Sequence, residues 1–190
     1  MQQKLDRRSL LAGGAALMAT VAMPMVARAG QRPEGTAFRN LSSFQTVDWR
    51  DHFDHLRRGA ILADLQSRAL HYWSEDGQTH LLYPCSVPMS DEFARRGHTE
   101  VVLKRRNPVW IPTPNMRARD PSLPERVEAG PENPMGTRAM NLGWQYYRIH
   151  GIDNTDKIGR QASNGCVGLF NHHVEHLFEL VEVGTQVKMI

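Results

Sequence analysis

Cys166 stands in the run Ser163-Asn164-Gly165-Cys166-Val167, sixteen residues after the His150 of Tyr147-Arg148-Ile149-His150-Gly151. A thiol attacks a carbonyl carbon only as thiolate, and a nearby imidazole can take its proton and hold the ion pair. Gly151 and Gly165 beside the two residues permit close backbone approach, and small residues before the cysteine free N–H groups to face a developing oxyanion. That set of residue types suits acyl transfer through a thioester. Spacing alone leaves a structural cysteine and an unrelated surface histidine as an equal alternative. The other cysteine, Cys85, would pair with Cys166 on the simplest oxidising-compartment reading. A chain of this length buries a core without such a staple, so both thiols are expected free, with Cys85 inert.

Other chemistry-bearing residues have plainer readings beside the functional ones. His172 and His176 are four apart on a helical segment that also holds His173, the spacing of two zinc ligands in a metallohydrolase. No acidic residue stands at a metalloprotease position, and Val174, Leu177 and Phe178 claim the buried face, so these histidines are expected at the surface, as are His52 and His55. Trp110, Trp144, Tyr146 and Tyr147 can line a groove or fill a core, with Trp110 the best cleft candidate. Arg138 and Arg148 flank the Cys and His segments and can read carboxylates or form ordinary ion pairs.

The elements that must position these residues are mainly strands. Residues 60–65, 69–73, 78–83, 99–104, 138–142, 145–149, 167–170 and 186–190 are β-like runs, the first three forming a meander with a turn at Glu75-Asp76-Gly77. A helix is expected from an N-cap at Asn171, with Val174, Leu177, Phe178 and Val181 on one face and Gly184 closing it. Seven of the chain's eleven prolines fall in residues 107–136, which predicts a long proline-rich loop walling or covering a site.

The first 29 residues carry Lys4, Arg7, Arg8 and Arg28 against Asp6 alone, so the remaining 161 hold 19 basic and 19 acidic side chains. That neutral balance argues against a nucleic-acid binder. Arg7-Arg8, an apolar run to about Val26 and Ala27-Arg28-Ala29 form a twin-arginine export signal with a cleavage site, and no later stretch spans a membrane. The expected organisation is a signal at 1–29, an arm and helical turn at 30–57 and a catalytic domain at 58–190 in a periplasmic protein.

His150-Gly151, Ile158-Gly159 and Ser163-Asn164-Gly165-Cys166-Val167 together resemble the signature of the L,D-transpeptidase (YkuD-like) family. Residues 107–142 are similar to the proline-rich loop and following strand of its periplasmic Gram-negative members, and the resemblance covers roughly residues 58–190. It implies a β-sandwich of mixed sheets, no metal and no cofactor. It also implies a cysteine acylated by one peptidoglycan stem peptide and resolved by the amine of another, and sensitivity to carbapenem-type inhibitors. Carried over, Cys166 matches the nucleophile and His150 the general base. Gly165 and Cys166 offer oxyanion N–H groups, while Ser163, Gly151 and Asn164 match supporting positions of the box. Water as acceptor would make a carboxypeptidase, and loss of turnover a peptidoglycan-binding module.

Two positions depart from the family pattern. Asn164 stands where many members have His, which leaves the base role to His150. Gly168 stands where Gram-negative members commonly have Arg. Its absence from the cleft implies either a donor cleaved after its first stem residue rather than its third, or a cation supplied by Arg138 or Arg148.

Overall fold

The computed structural model describes residues 47–190; the expected signal segment and nearly all of the expected arm lie outside them. A 3-10 turn at Trp49–Asp51, capped by the Asp48 side chain, lies near the start of the described chain. Strands β1 (Ala60–Asp64), β2 (Ala69–Trp73) and β3 (His80–Pro84) form the meander. β4 (Val87–Pro88) and β5 (Gly97–Arg106) follow, and helix α1 (Pro114–Arg119) lies within the long connection to β6 (Arg138–Leu142). The chain continues through β7 (Arg148–Gly151), β8 (Gln161–Ser163), β9 (Val167–Leu169), α2 (Asn171–Leu180) and β10 (Gln186–Met189).

Eight strands make one mixed sheet in the order β3-β2-β1-β10-β5-β6-β7-β9, and β4 pairs with β8 beside it. The expected two-layer sandwich is replaced by a sheet that curls almost into a barrel. Just after β3, Ser86 meets Gly168 of the far edge strand β9, with Ser86 N–H donating to Gly168 O at 2.8 Å and Gly168 N–H to Ser86 O at 3.1 Å. Such closure leaves little unpaired edge. The concave side holds Ile61, Leu70, Val101, Met140, Ile149, Val167, Leu169 and Val187, all buried, against Val174, Leu177 and Phe178 of α2. Each such side chain contributes about 1.5–3 kcal/mol on burial.

Two local features fix how the strands meet α2. A bulge in β5 between Val101 and Leu103 reverses the alternation of the strand. Val101 is buried in the core before it; beyond it Lys104 faces α2, donating to the Phe178 carbonyl at 2.5 Å and to that of Val181. Asn171 is the first residue of α2 rather than its cap, and the helix has no side-chain cap. Its amide instead accepts from Thr137 N–H and donates to Ile152 O, both at 3.2 Å, clamping the ends of β6 and β7 to the helix.

Candidate active site

Strands β7 and β9 run parallel, with Ile149 opposite Val167, His150 opposite Gly168 and Gly151 opposite Leu169. Side chains alternate along a strand, so the buried Ile149, Val167 and Leu169 enter the core. Arg148 and His150 project from the other face, and Cys166, one step before Val167, emerges there too. The register therefore brings the histidine and cysteine of the two motifs to one face of adjacent strands. Gly151 is dictated by the clamp below it: a Cβ there would stand 2.2 Å from Asn171 Oδ1.

A cavity of about 280 Å³ opens over this face, with Cys166, His150, Arg148, Ser163 and Asn164 among its walls. The connection from β5 to β6 supplies Trp110, Ile111, Thr113 and Met116 on the opposite side. Trp110 is thus in the cleft, tied by an isolated bridge to Val127. The connection is less irregular than its prolines suggest, since Thr113 caps α1 by accepting from Met116 N–H at 3.3 Å with Pro114 in the first turn. Arg119 at the end of α1 donates to Asn164 Oδ1 and lies 4.8 Å over the Phe93 ring, joining the connection to the cysteine loop.

The cysteine loop is held by its own hydroxyl. Ser163 Oγ donates to Cys166 O at 2.6 Å and accepts from Gly165 N–H at 3.3 Å. The Gly165 N–H, expected to face an oxyanion, is thus turned to Ser163 in this state. Gly165 has φ +123°, and a Cβ would meet the Tyr147 ring at 3.2 Å. Tyr147, expected as a cleft residue, is instead a support behind the loop. Its hydroxyl donates to Phe93 O at 2.8 Å, and its ring packs edge-on against Trp144 at 5.6 Å.

Its neighbour Tyr146 takes the cleft position. With φ +69°, uncommon for a bulky side chain, it aims its carbonyl at the nucleophile. Cys166 Sγ donates to that oxygen at 3.4 Å, and Arg148 Nη1 donates to it at the same distance. His150 Nδ1 meets Gly151 O; a carbonyl only accepts, so Nδ1 carries the proton and Nε2 is left as the basic nitrogen. Burial holds the imidazole down at about 4, opposed by the hydrogen bond to the Gly151 carbonyl. Burial also pushes the Cys166 thiol up, opposed by the Arg148 guanidinium. The resting pair is neutral thiol and neutral imidazole, not the ion pair that the sequence led us to expect.

Two further site expectations are corrected in placement. Arg138 lies on the core side of β6, over the Phe178 ring at 5.7 Å, and does not line the cleft. Gly168 is on the site face but without free space around it. A Cβ would stand 2.4 Å from Ser86 Oγ and 2.7 Å from Ile152 Cγ2, so the bridging segment fills the volume of any side chain. Ser86, Ile152, Lys157 and Met116 line the cleft and went unnoticed in the sequence, because residues far apart along the chain reach it through barrel closure and the short strands β4 and β8.

Both cysteines are free, and Cys85 is fully buried with its thiol pushed far up by burial. The α2 histidines are not simply solvated: His176 Nδ1 is 3.0 Å from Tyr83 Oη, and His173 packs on the Tyr83 and Phe170 rings. Among the described residues no helix is long and apolar enough to cross a membrane.

A profile of the YkuD L,D-transpeptidase catalytic domain matches residues 58–189. An L,D-transpeptidase-type protein of the ATP synthase subunits region (ORF 5) of Fuscovulum blasticum is 45% identical over the full length of both chains. ErfK/SrfK of Escherichia coli K12, also named for L,D-transpeptidase activity, is 38% identical over 72% of this chain, which spans 45% of that relative. Among solved structures, an L,D-transpeptidase from Mycobacterium smegmatis shares the fold with TM-score 0.56 and 20% identity, over 70% of this chain and 58% of the other. LdtMt1 in complex with imipenem superposes with TM-score 0.54 at 16% identity, over 70% of this chain and 59% of the other. A thiol and a histidine that converge on one face of such a fold, and a profile match across the whole catalytic segment, agree: the chain belongs to the YkuD family of cysteine-dependent L,D-transpeptidases.

Proposed function

We propose that this enzyme cross-links peptidoglycan stem peptides with Cys166 as nucleophile and His150 as general base, in the periplasm of a Gram-negative cell after twin-arginine export. The observation that carries the reading is the β7–β9 register, which puts the Nε2-basic His150 and Cys166 on one face of one cleft. As the thiol attacks the carbonyl at an L-to-D bond, its proton passes to His150 Nε2. The imidazolium then protonates the departing amine, and a thioester to Cys166 remains. The amine of a second stem attacks the thioester, gives its proton to His150, and restores the thiol. The Cys166 N–H is the retained oxyanion donor, and Gly165 N–H joins it if Ser163 turns away in the acylated state.

The neutral resting pair supports general-base attack over a preformed thiolate. Arg148 beside the thiol supplies a cation where residue 168 cannot, which favours the usual donor, cleaved after its third stem residue, over one cleaved after its first. The complex of LdtMt1 with imipenem supports carbapenems as inhibitors here as well.

Purified protein incubated with disaccharide-peptide substrates, followed by mass analysis, tests the whole reading. Cross-linked dimers through third-position donors are expected, with an imipenem adduct on Cys166. Trimmed monomers alone would make it an L,D-carboxypeptidase, first-position dimers would restore the changed donor, and neither product nor adduct would leave a binding module.

A further inference from the structure

Beyond Arg148 the cleft meets a second cavity of about 190 Å³ that shares Ile111, Met135 and Arg148 as walls with the first. Arg105, Ala139 and Asn141 complete the strand side, and Pro108 and Val109 of the long connection lie over it. The strand register makes this a continuation of the catalytic face. Arg105 is opposite Ala139, which is opposite His150, while Asn141 is opposite Arg148. The β5 bulge is what sends Arg105 to this side; in unbroken alternation it would share the face of the buried Val101. Ala139, with a single methyl group, leaves the space between the two arginines open.

The polar groups around this space are unbalanced. Among the described residues, no salt bridge pairs Arg105 or Arg148 with a carboxylate. Asn141 Oδ1 is buried with no hydrogen-bond partner. Asn141 lines the cavity, and because half a turn of its amide exchanges oxygen and NH2, it can meet a ligand there as a donor. Two guanidiniums and an amide converging on a small cavity make a receptor for a planar anion.

We infer that this cavity is a carboxylate subsite, in which Arg105, Arg148 and the Asn141 amide hold a carboxylate of a peptide substrate whose reacting atom lies at Cys166. The inference rests on the transpeptidase reading for the identity of the peptide, and the carboxylate comes from either the donor or the acceptor stem. It gives β5, which contributes no residue to the Cys-His chemistry, a role in specificity.

The test uses donor and acceptor peptides, each as free acid and as amide at the carboxyl group nearest the reacting centre. Wild-type enzyme should prefer the acid over the amide by about tenfold on one of the two partners, the size of one charge-assisted contact. Arg105→Gln should bring that preference close to one, and Arg105→Lys should restore part of it. Arg106→Gln, one residue along but on the opposite face and paired with Glu179 at 2.9 Å, should leave it unchanged. Equal use of acid and amide on both partners by wild type, or an undiminished preference in Arg105→Gln, would overturn the subsite. Equilibrium binding of the same peptides to Cys166→Ala reads the preference without turnover, so a protein that fails to cross-link still answers the question separately from the reaction.

Discussion

The Cys166 thiol and the Arg148 guanidinium donate to one carbonyl oxygen, that of Tyr146, each at 3.4 Å. Through that shared acceptor, the residue at the front of the His motif holds a positive charge against the nucleophile of the Cys motif. The guanidinium opposes the burial that pushes the thiol up. Arg148→Met should therefore raise the thiol further and slow acylation by imipenem by about tenfold or more, as expected for one charge-assisted contact of about 1.5–3 kcal/mol. A rate unchanged in the variant, measured by mass spectrometry of the adduct, would remove Arg148 from the reaction.

The protonation states of the resting dyad predict the pH profile. His150 is held at about 4 and the thiol lies above its ordinary 9.0, so between these limits both are neutral and competent for general-base attack. Acylation should be nearly flat across neutral pH and fall below about 4 as His150 takes a proton. Alkylation by iodoacetamide needs no base and follows the thiolate fraction, so it should be slow at neutral pH and climb about tenfold per pH unit into the alkaline range. A fast alkylation plateau that begins in acid would instead mean a preformed ion pair.

Gly168 predicts a stability effect with a defined origin. The Cβ of Gly168→Ala would enter the space of Ser86 Oγ and Ile152 Cγ2, at 2.4 and 2.7 Å, where β9 closes the sheet. Overpacking of this kind costs about 1–3 kcal/mol, and the shift would reach Cys166 two residues away. Gly168→Ala should lower the unfolding midpoint in urea, and combining it with Ser86→Gly should recover part of the loss. Equal stability of Gly168→Ala and wild type would show that the closure has slack.

Local signals were enough for the elements whose patterns are self-contained. β2 and β6 lie where short runs bounded by polar residues place them, and α2 begins at Asn171, as its first residue and not its cap. The Cys box and the His-Gly pair stood out as motifs, but only the positive φ of Gly165 is a local reason; Gly151 is required by Asn171 of α2. What was not legible depends on pairing between distant residues. β4 and β8 are too short to carry a period and exist because they pair with each other. Arg138 and Arg148 looked alike in sequence, yet one-residue parity on neighbouring strands puts Arg138 over Phe178 and Arg148 beside Cys166. The bulge that turns Arg105 outward has no mark in the β5 sequence. Tyr146 rather than Tyr147 lines the cleft because of a backbone turn at Tyr146.

Arg119 ties the connection over the cleft to the cysteine loop through Asn164. An exposed contact of this kind contributes about 0–1 kcal/mol to global stability, so Arg119→Ala should leave the unfolding midpoint nearly unchanged. Its effect should fall on the wall of the cleft. We expect faster limited proteolysis near α1 and a raised KM for peptide substrates, with kcat altered less. Protection at α1 equal to wild type would mean that the capping of α1 by Thr113 holds the wall without Arg119.

Three histidines give stability a pH dependence of defined sign. His71, His150 and His173 are each held at about 4 in the folded protein, chiefly by burial, against an ordinary 6.5. Between those values the unfolded chain binds more protons than the folded one, so stability falls as pH decreases. Above about 6.5 the contribution is fully present, and below about 4 it is fully lost. Asp48, Asp76 and Asp120, lowered from 3.8 by hydrogen bonds, add a loss of the same sign that sets in only at the acid end of that window. His71 is the most informative position, stacked on Trp73 at 5.5 Å with its Nδ1 3.0 Å from His80 Nε2. Phenylalanine keeps the ring in that stack and cannot take a proton. Unfolding midpoints measured from pH 7.5 to 4 should decline for wild type and decline less steeply for His71→Phe, whatever the offset between the two at neutral pH. Parallel curves would show that His71 is protonated without cost in the folded protein and would leave the acid sensitivity to the other histidines that burial lowers, His52, His80, His150 and His173.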